Sequence, residues 1–254
     1  MPHTIAVAGK GGVGKTTISG MIIDLLCKKS SKPVLVVDAD ANANLNEVLG
    51  VPADVTLGTI REEMAHAELK GTIPAGMTKA DYAEIKFNSA LIEEDDFDML
   101  IMGRTQGKGC YCYVNGVLKT LVDKYSKNYG YIVMDNEAGL EHVARGTLPK
   151  VDTMLLVSDC SRRGIQAAAR VAETIEEMEL KPGKLGLIVN RAPNGELDDG
   201  IKAEIEKYGL ELLAVLPQNE DIYRCDCEGK PSAQLPGENP VKTALAEMLN
   251  KLSI

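Results

Sequence analysis

Residues Gly9 to Thr17 read GKGGVGKTT, directly after an apolar, partly β-branched run, His3-Thr-Ile-Ala-Val-Ala8. The order strand, glycine-rich loop, helix is what the pattern G-x-x-x-x-G-K-[ST] requires, and Gly9, Gly14, Lys15 and Thr16 satisfy it, with a helical stretch from Ile18 to Lys29 behind them. Glycines let such a loop turn its N–H groups inward, so that the amides of Gly11, Gly12, Val13 and Gly14 and the positive end of the next helix face one anion. Lys15 adds a point charge for the β and γ oxygens of a nucleoside triphosphate. Thr16 offers a hydroxyl to Mg²⁺, and Thr17 a second hydroxyl within the first helical turn.

Seven apolar runs, at 3–8, 33–38, 98–102, 130–135, 153–158, 185–190 and 211–216, alternate with helix-period segments. This predicts an α/β fold, a mostly parallel central sheet flanked by helices, with ligands at the carboxyl ends of the strands. Continuous runs such as Val34-Leu-Val-Val37 suit strands covered on both faces. The segment from Val51 to Phe97 is broken by Gly58, Gly71, Pro74 and Gly76 and predicts no long helix. With 254 residues and 44% hydrophobic content, residues 1–254 are expected to form a single domain. A net charge of −9, no Trp and no Lys/Arg-rich run argue against a nucleic-acid partner. No apolar run approaches the roughly 18 residues that span a bilayer, and the first strand begins without a leader-like stretch, so no membrane association and a cytoplasmic location are expected.

Lys10 gives the loop a second cation, and this deviant Walker A form, KGGVGKT, resembles the dimeric P-loop ATPases of the SIMIBI class. That group includes the Min and Par positioning proteins, the nitrogenase iron protein and metal-cluster maturation ATPases. The resemblance implies that Lys10 stabilises phosphate charge across a homodimer. Strand two ends in Val37-Asp-Ala-Asp-Ala-Asn-Ala-Asn44. The resemblance gives Asp40 the attacking water and Asp38 a place near Mg²⁺, while Asp38 as a helix cap is the structural alternative. Strand four ends in Val133-Met-Asp-Asn-Glu-Ala-Gly139, which looks like Walker B with a following switch. Asp135 would hold Mg²⁺ through water and the Gly139 amide would meet the γ-phosphate. Asn190 and Arg191, with the Pro217-Gln218-Asn219 turn, resemble the adenine pocket, and the lack of an N/T-K-x-D motif there favours ATP over GTP.

The six cysteines include two C-x-C pairs, Cys110/Cys112 and Cys225/Cys227. Cys110 and Cys112 follow a glycine-rich basic stretch, Gly103 to Gly109, and precede a helix, surroundings that lower a thiol's pKa. Two sulfurs cannot complete a four-coordinate site alone, but two chains across a two-fold axis supply four. Together with Ala138-Gly-Leu-Glu-His-Val-Ala-Arg-Gly146, this element resembles the CooC-type accessory ATPases that insert nickel into CO dehydrogenase, and their relatives serving acetyl-CoA synthase. The resemblance implies an ATP-hydrolysing homodimer that binds Ni²⁺ on Cys110 and Cys112 and delivers it to a client nickel enzyme, CO dehydrogenase or acetyl-CoA synthase. Zn²⁺ fits the same four thiolates. Two rivals are an electron carrier like the nitrogenase iron protein, with a bridging [4Fe–4S] cluster, and a Min/Par-type positioning ATPase. The C-terminal stretch from Val241 to Ile254 reads as a docking helix, not a basic membrane tail. Cys27 and Cys160 read as packing residues; Cys225 and Cys227 read as either auxiliary metal ligands or surface thiols.

Overall fold

The computed structural model describes residues 1–104, 112–137 and 150–254, with only the backbone of Cys112 and Tyr113 described. Eight strands form one sheet in the order β3-β4-β2-β5-β1-β6-β7-β8. They are β1 (His3–Gly9), β2 (Val34–Ala39), β3 (Ile92–Glu93), β4 (Phe97–Ile101), β5 (Tyr131–Asn136), β6 (Thr153–Asp159), β7 (Lys184–Ala192) and β8 (Leu212–Pro217). Seven coincide with the predicted runs to within two residues and pair in parallel. The eighth, β3, lies antiparallel at the edge and is only two residues long. It falls in the segment from Val51 to Phe97, where the sequence predicted no strand; two residues carry no alternation to read.

Alternation along β1 divides the core. Ile5 and Val7 face one layer with α1 (Lys15–Lys29), α2 (Leu45–Leu49) and the C-terminal helix Pro240–Lys251. Ala6 and Ala8 face the other, formed by α3 (Leu57–Lys70), α4 (Lys79–Asn88), α5 (Cys112–Tyr125), α6 (Arg162–Glu177) and α7 (Asp199–Lys207). After β8 come α8 (Glu220–Glu228) and α9, the helix Pro240–Lys251. Both faces of the parallel strands are therefore covered, as their unbroken apolar runs require. Each fully buried Ile or Leu contributes about 1.5–3 kcal/mol, so the double layer is the main stabilising feature.

Near the end of the chain, α9 buries Val241, Leu245, Met248 and Leu249 against α1 and β8. The predicted docking helix thus docks on its own core. Its Lys242 is fully buried, with Nζ 2.5 Å from an Asp24 oxygen and 2.7 Å from the Leu235 carbonyl. Among the described residues, no helix is long and apolar enough to cross a membrane.

Candidate active site

β1 sits between β5 and β6, so the loop leaving it emerges at the middle of the carboxyl edge. Close approach fixes two of its glycines. A Cβ on Gly9 would stand 2.2 Å from the Val157 carbonyl oxygen of β6, and one on Gly14, whose φ is 95°, would stand 2.5 Å from Asn190 Nδ2. The loop opens on a cleft of about 660 Å³ lined by Gly11, Gly12, Gly14, Lys15, Thr16 and Thr17 with Asp40, Asn42, Glu137 and Arg191. That volume suits a nucleotide.

Lys15 is almost wholly buried and donates to the Lys10 carbonyl at 3.2 Å. Burial holds its pKa below the usual lysine range, against the opposing pull of Asp135, Asp40 and Glu137. The neighbouring acids favour the charged form of this buried lysine, and it is that positive charge which can pair with a phosphate. The Lys10 side chain is exposed.

Asp38 and Asp135 are buried and occupy facing register positions on β2 and β5. Ser19 Oγ donates to Asp135 Oδ1 at 3.0 Å, and Thr16 also hydrogen-bonds this carboxylate. Burial pushes Asp135 up to about 6 despite those hydroxyls. Burial and the Asp135 charge push Asp38 up to about 7. Two crowded carboxylates beside a threonine hydroxyl form a hard-oxygen donor set short of positive charge, which fits Mg²⁺. In that role Thr16 and Asp135 would hold the ion, which supplies Lewis acidity to phosphate oxygens.

Asp38 has a second job. Its Oδ1 accepts the Asp40 amide at 3.0 Å and its Oδ2 the Leu45 amide at 3.1 Å, so it shapes the loop after β2 and caps the start of α2. Asp40 lies further out, lining the cleft, with its Oδ1 accepting both the Asn42 amide at 2.8 Å and Asn42 Nδ2 at 3.0 Å.

The carboxyl end of β7 supports the phosphate loop from the opposite side. Asn190 is buried; its Nδ2 donates to the Val13 carbonyl at 2.9 Å and its Oδ1 accepts the Arg191 amide. Arg191 takes a left-handed backbone, φ 58°, and its Nη1 donates to the Gly12 carbonyl at 3.1 Å. The sequence placed both residues at adenine, whereas this geometry makes Asn190 first a brace of the glycine loop. One Nδ2 hydrogen remains for a base. Gln218 is tied by its amide to the Ala192 carbonyl, and Asn219 caps α8 through Ile222 while accepting from Asn239. The cleft wall beyond this turn comes from α8, through Ile222, Cys225 and Asp226, and from Gly229 and Lys230, a contribution the sequence reading missed. The i, i+3, i+4 spacing in that helix was the available signal.

Cys110 and Gly139, with Glu141 and His142, lie outside the described residues, as does the Cys112 side chain; the Cys112 backbone opens α5. Cys225 and Cys227 stand on the same helix, about 200° apart around its axis. Cys225 faces the cleft and Cys227 is exposed beside Tyr223, so one chain cannot turn both sulfurs toward one ion. Cys27 is half-buried, its thiol directed at the Asp96 carbonyl and pushed up to about 12 by burial. Among the described residues, no group of three or more His, Cys, Asp or Glu side chains is gathered to hold a metal.

The strand, glycine loop and paired acids define a P-loop nucleotide-binding protein. The CobQ/CobB/MinD/ParA nucleotide binding domain model matches residues 4–232, and the chain belongs to that family. It is 41% identical over 248 residues to an uncharacterized ATP-binding protein of Methanocaldococcus jannaschii, covering 98% of this chain and 97% of the relative. It is 31% identical over 246 residues to the carbon monoxide dehydrogenase accessory protein CooC of Rhodospirillum rubrum, covering 85% of this chain and 92% of that one. The fold is shared with MinD from the MinC:MinD cell division complex of Aquifex aeolicus, at a TM-score of 0.70 and 23% identity, covering 99% of this chain and 95% of that chain.

Proposed function

We propose that the chain is a cytoplasmic, homodimeric ATPase that carries Ni²⁺ on Cys110 and Cys112 of both subunits and delivers it to CO dehydrogenase or acetyl-CoA synthase. ATP hydrolysis drives the delivery. The observation that carries the ATPase half is the cleft lined by Lys15, Thr16 and Asp40 beside the glycine loop, with the buried Asp135 carboxylate hydrogen-bonded to Thr16. In it the loop amides and Lys15 bind the phosphates, and Asp40 orients the attacking water. Lys10, exposed at the mouth, reaches the partner's nucleotide, and Gly139 senses the γ-phosphate. Asn190, Arg191 and the turn Pro217-Gln218-Asn219 surround the base.

The nickel half is supported by the C-Y-C element and by the 31% identity to the CooC protein over most of both chains. Four thiolates from two chains offer Ni²⁺ or Zn²⁺ a complete site, with nucleotide-dependent closure altering the sulfur spacing. Anaerobic titration of reduced protein with Ni²⁺, followed by mass and thiolate-to-nickel absorption, tests the proposal beside a Cys110→Ser/Cys112→Ser variant. One Ni²⁺ per dimer, lost in the variant, is expected. Equal binding by the variant, or affinity that ignores nucleotide, overturns the coupling.

A further inference from the structure

Asp40 is held by a side chain that is itself held. Both bonds from Asn42, through its amide and through Nδ2, end on Asp40 Oδ1, which leaves Oδ2 outside this pair of contacts. An asparagine amide can be turned either way round, and the opposite rotamer would set Asn42 Oδ1 against the carboxylate. The acceptor-only carboxylate of Asp40 draws Nδ2 toward itself, and Arg104, whose Nη2 donates to Asn42 Oδ1, holds the same orientation from the other side. A guanidinium has donors only, so it can bond only the oxygen of the amide, and with Arg104 on that side and Asp40 on the other a single rotamer satisfies both.

The backbone beneath this pair is braced. The Met102 amide donates to the Asp38 carbonyl at 2.9 Å, and the Gly58 amide to the Met102 carbonyl at 2.9 Å. A Cβ on Gly58 would lie 2.3 Å from the Arg104 carbonyl oxygen, so the main chain at Arg104 rests directly on the first turn of α3. Gly103, at φ 65°, makes the bend, its Cα side pressed on Thr56. The end of β4 and the loop after β2 are thus fixed to one another. Arg104 and Asn42 bridge them at the rim of the cleft.

We propose that Arg104 is a positioning residue for ATP hydrolysis: by orienting the Asn42 amide it fixes one oxygen of Asp40 and leaves the other for the attacking water. The proposal rests on the reading of Asp40 given above.

Steady-state Mg-ATP hydrolysis, affinity for a fluorescent ATP analogue and thermal midpoints, measured for the full chain and for R104A, R104K, N42D and D40A, test the proposal. R104A is expected to lower kcat about tenfold, as a misaimed catalytic group does, with KM, analogue affinity and midpoint unchanged. R104K, which keeps a cationic donor, recovers part of the rate. N42D keeps a partner for Arg104 and the backbone donor to Asp40 but removes the side-chain donor and places a carboxylate beside it, so it lowers kcat at least as far as R104A. A structural brace alone would leave N42D active. The double variant R104A/D40A is no slower than D40A. Normal hydrolysis by R104A and N42D beside a slow D40A overturns the positioning role while the reading of Asp40 stands. Hydrolysis by D40A at the parent rate overturns that reading and the pair together. A loss in R104A that comes with a lowered midpoint and is not recovered in R104K also overturns the proposal.

Discussion

The carboxyl ends of β2 and β7, with the loops they lead into, flank the same glycine loop and are both rich in Asn and charged residues, yet they distribute their hydrogen bonds in opposite ways. At the end of β7, Asn190 and Arg191 turn their donors onto the Val13 and Gly12 carbonyls and hold the phosphate loop in shape. After β2, Asp38 satisfies local amides, and Asp40 is left lining the cleft with one oxygen outside its bonds to Asn42. The lesson is that polarity at a strand end does not separate a scaffold from a reacting group. What separates them is which donors and acceptors remain once the loop has bonded to itself.

Lys15 serves both loops' purposes, and its removal should have the largest effect. Lys15→Ala is expected to lower ATP hydrolysis by about 10³-fold or more, since it deletes the buried cation that faces the phosphates; a coupled phosphate-release assay reads this. Asp40→Ala should follow, with kcat down by about 10²-fold or more and nucleotide affinity retained. Asn190→Ala should give the reverse pattern, weakened nucleotide binding and a lower thermal midpoint, because it leaves the buried Val13 carbonyl without its donor at about 1–3 kcal/mol. If the two variants lose affinity and kcat in the same proportion, the contrast between the loops fails.

A smaller effect separates Asp38 from Asp40. Folding moves Asp38 from an ordinary value of 3.8 to about 7. Between those values the folded protein holds a proton that the unfolded chain has released, so the stability of nucleotide-free, Mg²⁺-free protein should fall as pH rises from about 4 to about 7 and level off above. Asp38→Asn, unable to ionise, should show a shallower fall in thermal midpoint over that window. An unchanged slope would remove Asp38 from the account. The smallest effect concerns thiols: Cys225, on the cleft wall, should be alkylated slowly once MgATP is bound and faster without it, while Cys27, pushed up to about 12, stays slow in both. Peptide mass mapping distinguishes the two.

Much of this was legible in the sequence because the features are local. Apolar runs gave seven strands, Gly14-Lys15-Thr16 sit where the glycine loop enters α1, and Asp135 sits near a strand end, positions that spacing alone indicates. Long-range pairing was not legible. Nothing around Asn190 says that its amide meets Val13, 177 residues earlier. Lys242 reads as a surface charge of an amphipathic helix, and only the fold brings Asp24 to it and closes α9 over both. The thiols at 225 and 227 form a pair in sequence but not in space, because a helix sends i and i+2 to opposite sides. The α8 wall was missed for the same reason: its cleft face is set by how the helix packs, not by composition.

The position of β1 has a consequence for how the molecule comes into being. β1 is flanked by β5 and β6, which come later in the chain and end at Asn136 and Asp159. Until both have left the ribosome the glycine loop has no sheet to hang from, and the Asn190 brace is made later still. Such non-local pairing folds slowly, so the glycine loop can grip a phosphate only after the chain through Asp159 is in place. Added ATP should therefore speed a late step of refolding while leaving early collapse unaffected.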